Sequence, residues 1–322
     1  MNNEILEKVY VDETSLGDIF NIIFTGLPLI ILSFIMFASS SVIYSLSLPN
    51  IYTADVTLIS NQDSSNQMQG LSGMGGLASI AGVNVSGDQN IINEALAILE
   101  SRKFLMNFIE KEDILPQIIA AKSWNADKDN IIYDQSLYDI NSNKWVRKPN
   151  GFYKTIPSLL EAQEIFSTEN LNIIFDTKKN FVYVSISYYS PYLAKQWLDS
   201  LINHLNLELK KYDTAEAQKS IDYVEDLLGL NTNKELNNIF SQLIGNQTKK
   251  IMLANSREEY FFRTLDPSII PEKKSGPSRA IICIVISLIG IIIPIAILFI
   301  FFLLGKKLTF SISRPIINIT NI

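Results

Sequence analysis

The chain has 322 residues, and its 27 Lys and Arg are outnumbered by 33 Asp and Glu, which gives a net charge of −6 at pH 7. This balance argues against a nucleic-acid-binding protein, because such a surface requires a basic face. A single cysteine, Cys283, and a single histidine, His204, argue against a disulfide framework and against a Cys- or His-based metal centre.

Two apolar runs without Asp, Glu, Lys or Arg, at 22–46 and 280–304, bracket about 230 mostly polar residues. Each run exceeds the ~20 residues with which an α-helix crosses a hydrocarbon core ~30 Å thick. We therefore predict transmembrane helices over 21–47 and 279–304, a short N-terminal segment over 1–20, a main domain over 48–278 and a short tail over 305–322. A cleaved signal peptide is a weaker reading of the first run, because the run is long and acidic residues precede it.

The charges that flank the spans lean slightly toward one orientation. Lys8, Lys306, Lys307 and Arg314 lie on the terminal side, against Lys273, Lys274 and Arg279 on the side of the main domain. Because cytoplasmic segments carry the excess of basic residues, we predict that both termini are cytoplasmic.

The first half of the main domain begins with a strand. Residues 52–58 alternate apolar and polar side chains and are rich in β-branched residues, which is typical of a strand. A Ser-, Gln-, Asn- and Gly-rich loop over 62–89 follows, and then one helix is expected from Ile91 to just before Pro116. The aromatic-dotted stretch 121–151 shows no period and is predicted to be irregular.

The sequence of the second half of the main domain predicts a β-hairpin and two long helices. Strands over 171–176 and 181–188 flank a turn, and Ser190 followed by Pro191 predicts the start of a helix that runs to Gly229. A second helix over 233–262 should return along the first. Together these elements predict an α+β fold, with a base formed by 48–189 and 263–278 and long helices over about 190–262.

Prolines and glycines near and within the spans predict further details of the structure. The prolines at 267, 271 and 277 predict a short, stiff connection into the second span, because proline disfavours helix in the residue before it. Gly290 and Pro294 in the second span, like Gly26 and Pro28 at the first, predict close packing between spans, although simple tolerance of such residues in membrane helices is an equal alternative.

Chemistry-bearing motifs are scarce, and we predict no catalytic, cofactor or metal site. His204 lies mid-helix without Cys or His companions, and Gly73-x-Gly75-x-x-Ala78 follows a loop where a dinucleotide site needs a strand. Carboxylate pairs on the long helices are typical of a solvated face. A glycan hydrolase that uses one such pair is the weaker, enzymatic alternative.

Several ordered motifs resemble a known family. They are residues 51–58 (IYTADVTL), 121–124 (AKSW), 144–147 (KWVR), 189–197 (YSPYLAKQW), 257–267 (REEYFFRTLDP) and 271–279 (PEKKSGPSR). With the two terminal spans, they resemble bacterial polysaccharide chain-length determinants, which are polysaccharide co-polymerases that regulate O-antigen length in lipopolysaccharide. The resemblance covers nearly the whole chain, without a fused tyrosine-kinase domain.

The resemblance implies an inner-membrane protein with cytoplasmic termini and a periplasmic α+β domain. It implies a closed homo-oligomer that acts on the glycan polymerase and its lipid-linked polysaccharide, and any kinase would be a separate chain. The alternative is a membrane adaptor of a capsular or exopolysaccharide export complex. The residues we expect to matter have structural roles. Candidates for oligomerisation or for the structure of the long helix are Trp197, Leu201, Leu205 and Tyr212, and the proline motif at the entry to the second span comprises Asp266, Pro267, Pro271, Pro277 and Arg279.

Overall fold

The computed structural model describes residue 24 and residues 26–61, 88–230 and 234–303. The predicted terminal segments 1–20 and 305–322 lie outside the described residues, as does the predicted loop 62–89 except for its last two positions. The described chain is a mixed α and β structure that divides into two compact units, Met1–Leu48 with Pro277–Ile322, and Pro49–Gly276.

The first unit pairs the two apolar helices, α1 (Leu27–Ser47) and α8 (Arg279–Leu303). Both are long and apolar enough to cross a membrane. Most of their surface is exposed within the unit, as expected for side chains that would face lipid.

The second unit is built on a four-stranded antiparallel sheet with strand order β6-β7-β1-β8. The strands are β1 (Tyr52–Ser60), β6 (Leu171–Asp176), β7 (Phe181–Tyr188) and β8 (Phe262–Asp266). Strand β7 alternates buried and half-buried residues along its whole length, so one face of the sheet forms the core. The predicted strand at 52–58 and the predicted hairpin are confirmed.

The helices of the second unit complete its core together with the buried face of the sheet. They are α2 (Asp88–Glu100), α3 (Arg102–Glu112), α4 (Leu115–Ala120), α5 (Leu159–Ile165) with a π-helical turn at Phe166–Asn170, and the long α6 (Pro191–Leu230). The helix α7 (Lys234–Ser256) packs along α6. At 1.5 Å per residue, the 40 residues of α6 span about 60 Å.

Two predicted helices have different bounds in the structure. The helix expected from Ile91 is broken at Ser101, whose backbone is extended and whose Oγ accepts a hydrogen bond from Phe104 N at 3.2 Å, capping α3. The helix expected over 233–262 ends at Ser256, because the chain then turns to place β8 beside β1.

The stretch 121–151 is also more regular than predicted. It holds two short antiparallel pairs, β2 (Ala121–Asn125) with β3 (Asn130–Tyr133), and β4 (Tyr138–Asp139) with β5 (Lys144–Trp145). Aromatic contacts join them, since the Tyr138 ring lies 5.6 Å from Tyr133 and 5.1 Å from Trp145.

Candidate functional site: the base of the long helices

The first half of α6 is embedded in the core of the second unit. Trp197 is 1% exposed, and its ring lies 4.3 Å from the Tyr188 ring and 6.2 Å from the Phe166 ring. Leu201 and Leu205 are fully buried one and two turns further on. Burying a side chain of this size contributes roughly 1.5 to 3 kcal/mol, so these contacts fix where the long helix leaves the sheet.

A buried amide fastens the middle of α6 to the strand that follows α7. Asn206 is 4% exposed, and its Oδ1 accepts hydrogen bonds from Phe261 N at 3.0 Å and Phe262 N at 2.8 Å. Its Nδ2 donates to Phe262 O at 3.0 Å. One side chain therefore satisfies three backbone groups at the start of β8, and it sets the position at which the helical pair returns to the sheet.

A carboxylate one turn beyond the core joins three elements. Asp213 on α6 accepts a hydrogen bond from Lys250 Nζ on α7 at 3.0 Å. Its other oxygen accepts from the Tyr260 hydroxyl at 2.7 Å, just before β8. Because a charged, partly buried acceptor makes the stronger hydrogen bonds, this junction ties α6 and α7 together where they leave the base.

Polar contacts near the start of α6 hold the proline-rich segment 267–277. The Ser268 hydroxyl is buried and donates to Asp199 Oδ1, while Lys195 Nζ donates to Asp199 Oδ2 at 2.5 Å. Further along, Ser275 N donates to Ile51 O at 2.8 Å and Ile51 bridges Gly276. The segment is thus bonded both to the long helix and to the start of β1.

The expected residues of this segment occupy different environments. Asp266 ends β8 opposite Thr57, and Pro267 beside it is exposed. Pro271 and Pro277 are half-buried in irregular backbone. Arg279 begins α8 and donates from NH2 to Leu48 O at 3.2 Å, at the end of α1.

Beyond the core, the long helices present large apolar side chains to solvent. On α6 these include Tyr212, 55% exposed, and Tyr223, 66% exposed. Their separation of eleven residues is about three helical turns, so both rings lie on one side of α6 roughly 16 Å apart. Helix α7 adds Met252, 67% exposed. Such exposed apolar surface is typical of a contact with another molecule.

Of the four helix residues singled out from the sequence, Trp197, Leu201 and Leu205 thus pack inside their own chain, and Tyr212 is exposed. The polar anchors Asn206, Asp213 and Asp199 were missed by sequence reasoning. Only Asn206 carries a local signal, because it lies beside Leu205 on the apolar stripe where a polar residue needs a buried partner. His204 packs its ring against Phe108 at 5.7 Å and its Nδ1 lies 3.0 Å from Ser200 O.

Two glycines lie at contacts between the two apolar helices. A Cβ at Gly290 would lie 2.6 Å from Phe37 Cβ, and one at Gly26 would lie 2.1 Å from Leu298 Cδ1. Ser33 Oγ donates to Gly290 O at 2.8 Å across the same contact. Pro294 is buried one turn beyond Gly290. A side chain at Gly290 would collide with Phe37 Cβ, which is fixed to its helix, whereas a side chain at Gly26 would meet the movable end of Leu298. Gly290 therefore permits the close approach of the two helices.

Burial perturbs the phenols near the start of α6. Desolvation raises the pKa of Tyr188, whose hydroxyl donates to Gln117 O at 2.9 Å, and it also raises the pKa of Tyr189 and of Tyr133. Among the described residues, no group of three or more His, Cys, Asp or Glu could hold a metal ion. Tyr188 therefore combines a packed ring with a hydroxyl that donates a hydrogen bond.

The comparisons with known proteins point in one direction. Residues 12–112 match the family model described as "Wzz: Chain length determinant protein". Over these residues, which make up about a third of the chain, the sequence is similar to the chain length determinant family. The two apolar helices near the ends of the chain fit a two-span membrane protein.

Two solved structures are similar to this chain. One, a "full-length bacterial polysaccharide co-polymerase", is 14% identical with a TM-score of 0.37, and the match covers 90% of this chain and 98% of that chain. The other, a fragment of the polysaccharide co-polymerase WzzB from Salmonella Typhimurium, is 13% identical with a TM-score of 0.27, and covers 70% and 100%. No curated protein sequence matches.

Proposed function

We propose that this chain regulates the length of a surface polysaccharide of the O-antigen type, as a non-catalytic scaffold in the inner membrane. In this proposal both termini are cytoplasmic and Pro49–Gly276 is periplasmic. The family match at 12–112 carries the proposal, and the two spans support a site of action at the membrane.

The long helices supply a physical basis for a scaffold. Helix α6 extends about 60 Å, and the buried Asn206 and the partly buried Asp213 hold it to its base. A helical pair fixed in this way has a defined direction. Copies that pack side by side would then form a closed homo-oligomer whose dimensions follow from the packing angle.

The exposed tyrosines provide a surface for that packing. Tyr212 and Tyr223 lie on one side of α6, and aromatic side chains with a polar tip are enriched where proteins associate. The scaffold would hold the glycan polymerase or the growing lipid-linked polysaccharide at a fixed geometry, and so bias the point at which extension stops.

A gene deletion tests the function. A strain that lacks this chain should still display polysaccharide, but with a broad length distribution and without a preferred length, and restoring the chain should restore that length. Complete loss of surface polymer on deletion would contradict the proposal and favour an export adaptor. An unchanged length distribution would contradict both roles.

A further inference from the structure

A short segment of this acidic protein is basic and exposes several apolar side chains. Residues 140–160 contain four basic residues and no acidic one, in a chain whose net charge is −6. Arg147 is neutralised by Glu161, to which it donates at 2.5 and 2.8 Å. Three exposed lysines, Lys144, Lys148 and Lys154, therefore give the segment its charge.

The same segment exposes aromatic and aliphatic side chains. Phe152 is fully exposed and Tyr153 is 57% exposed, and Ile140, Val146 and Ile156 are also exposed. We call the three lysines with Phe152 and Tyr153 the lysine–aromatic patch. Single exposed apolar side chains are normal on a protein surface, whereas adjacent exposed rings with a polar rim are typical of an interaction surface.

The patch is held by hydrogen bonds. Residues 150 and 153 exchange two backbone hydrogen bonds, at 3.0 and 3.1 Å, around Gly151, whose φ of +59° suits a tight turn. Arg147 Nε donates to Lys154 O at 2.7 Å, and its guanidinium lies 5.7 Å from the centre of the Tyr153 ring. Both rings are therefore displayed by a formed turn that lies against the β5 segment.

The patch is connected to the end of the sheet at which the chain joins the spans. The Trp145 ring of β5 contacts the Tyr138 ring, which in turn contacts the Tyr133 ring of β3. Strand β3 pairs with β2, whose Trp124 ring lies 5.8 Å from the Tyr52 ring. Tyr52 follows Leu48 by only four residues, which reach at most about 14 Å. The layer of short strands therefore packs on the start of β1, four residues along the chain from the end of the first unit.

We propose that the lysine–aromatic patch lies on the bilayer and binds anionic lipid headgroups. Amphipathic rings favour the interface between headgroup and acyl chain, and lysines favour an anionic surface. Each lysine near such a surface favours contact by roughly fivefold, so three lysines together contribute about a hundredfold. The inference rests on the membrane attachment and is independent of the role in polysaccharide length.

A spin label at position 152 tests the proposal in the full chain. Cys283→Ser removes the native thiol, and Phe152→Cys then takes the label, with Tyr223→Cys on α6 as the matched exposed control. The chain is reconstituted in vesicles of phosphatidylcholine alone or of an equimolar mixture with phosphatidylglycerol. Collisions with dissolved oxygen report lipid, and collisions with a water-soluble nickel chelate report water.

The expected result is specific to position 152. In the mixed vesicles its label should collide more with oxygen and less with nickel than the label at 223, and molar salt or the triple variant Lys144→Gln, Lys148→Gln, Lys154→Gln should reverse this. Intrinsic tryptophan fluorescence should show that the triple variant remains folded. Phosphatidylcholine alone should give the weaker contact.

Three results would overturn the proposal. A label at 152 as accessible to nickel as the label at 223 in both kinds of vesicle would exclude lipid contact. Protection that disappears when the ratio of lipid to protein is raised until the copies separate would assign the patch to a second copy. Protection that requires added soluble oligosaccharide would assign it to a glycan. None of these results would affect the proposed regulation of length.

Discussion

The buried amide of Asn206 should be the most sensitive single polar contact at the base of the long helices. Its three hydrogen bonds go to backbone groups of Phe261 and Phe262, at 2.8 to 3.0 Å. In Asn206→Leu the volume is nearly preserved, so the loss is polar: three bonds disappear and buried N–H groups lose their partner. At about 1 kcal/mol per bond, the free energy of unfolding should fall by about 3 kcal/mol.

Thermal unfolding of the detergent-solubilised full chain measures this loss. The three tryptophans, Trp124, Trp145 and Trp197, all lie in Pro49–Gly276, so intrinsic fluorescence reports that unit. A loss of ~3 kcal/mol corresponds to a fall in Tm of roughly 6 to 12 °C for a unit of this size. The matched control is Asn172→Ala on β6, where an exposed amide makes one long bond of 3.5 Å, and its Tm should hardly change. Equal effects of the two substitutions would refute the reasoning.

Three further predictions concern other contacts. Gly290→Ala should destabilise the paired apolar helices, so the thiol of Cys283 should react at a lower temperature on heating. Gly245→Ala is the control and should leave this temperature unchanged, because a Cβ added at Gly245 would have no neighbouring atom within 4 Å. Equal behaviour of the two variants would contradict the close approach. Because the folded-state pKa of Tyr188 is raised, its contribution to stability is full below about pH 10 and is lost as pH rises further. Tyr188→Phe should therefore be less stable at pH 8 by about 1 kcal/mol and lose less stability on going to pH 11, as measured by Tm at each pH; a constant difference would contradict the assignment. Arg147→Gln should lower the free energy of unfolding, measured with urea, by about 2 kcal/mol. Arg147→Lys should not recover this stability, because Lys cannot make the paired bonds to Glu161. Full stability of either variant would contradict a structural role of the pair.

Local sequence patterns determined the parts of the fold that depend on local chemistry. The alternation in 181–188 predicts β7 with its observed bounds, and the hairpin to β6 follows from the turn between them. Ser190 before Pro191 predicts the start of α6, and Ser190 Oγ does accept from Leu193 N at 3.4 Å. These signals lie within a few residues of the structure that they specify.

Contacts distant in sequence were not predictable in the same way. Residues 257–262 have a helix-compatible pattern, but β8 pairs with β1 about two hundred residues earlier, and this pairing overrides local preference. The break at Ser101 was missed because apolar periodicity continues across it, although a serine ahead of a helix is a cap signal. The short strands in 121–145 are too brief for alternation to reveal them.

The candidate site likewise combines residues that local patterns predict with contacts that join distant parts of the sequence. The apolar stripe of α6 identifies Trp197, Leu201 and Leu205 as core residues, because periodicity reports burial. It does not distinguish an exposed ring such as Tyr212 from a buried one. Nor does it reveal that Asp213 meets Tyr260, since these residues are brought together only when α7 returns along α6.

The length distribution of surface polysaccharide, measured with a variant of the long helix, tests the central claim most directly. In a deletion strain we would restore either the native chain or the variant Tyr212→Glu, Tyr223→Glu, with Gln242→Glu, Asn246→Asp as a control that adds the same charge at other exposed positions of α7. The native chain and the control should give a preferred length, whereas the tyrosine variant should be inserted and folded yet give a broad distribution and a smaller assembly. A tyrosine variant that is monomeric but still sets the native length would contradict regulation by an assembled scaffold.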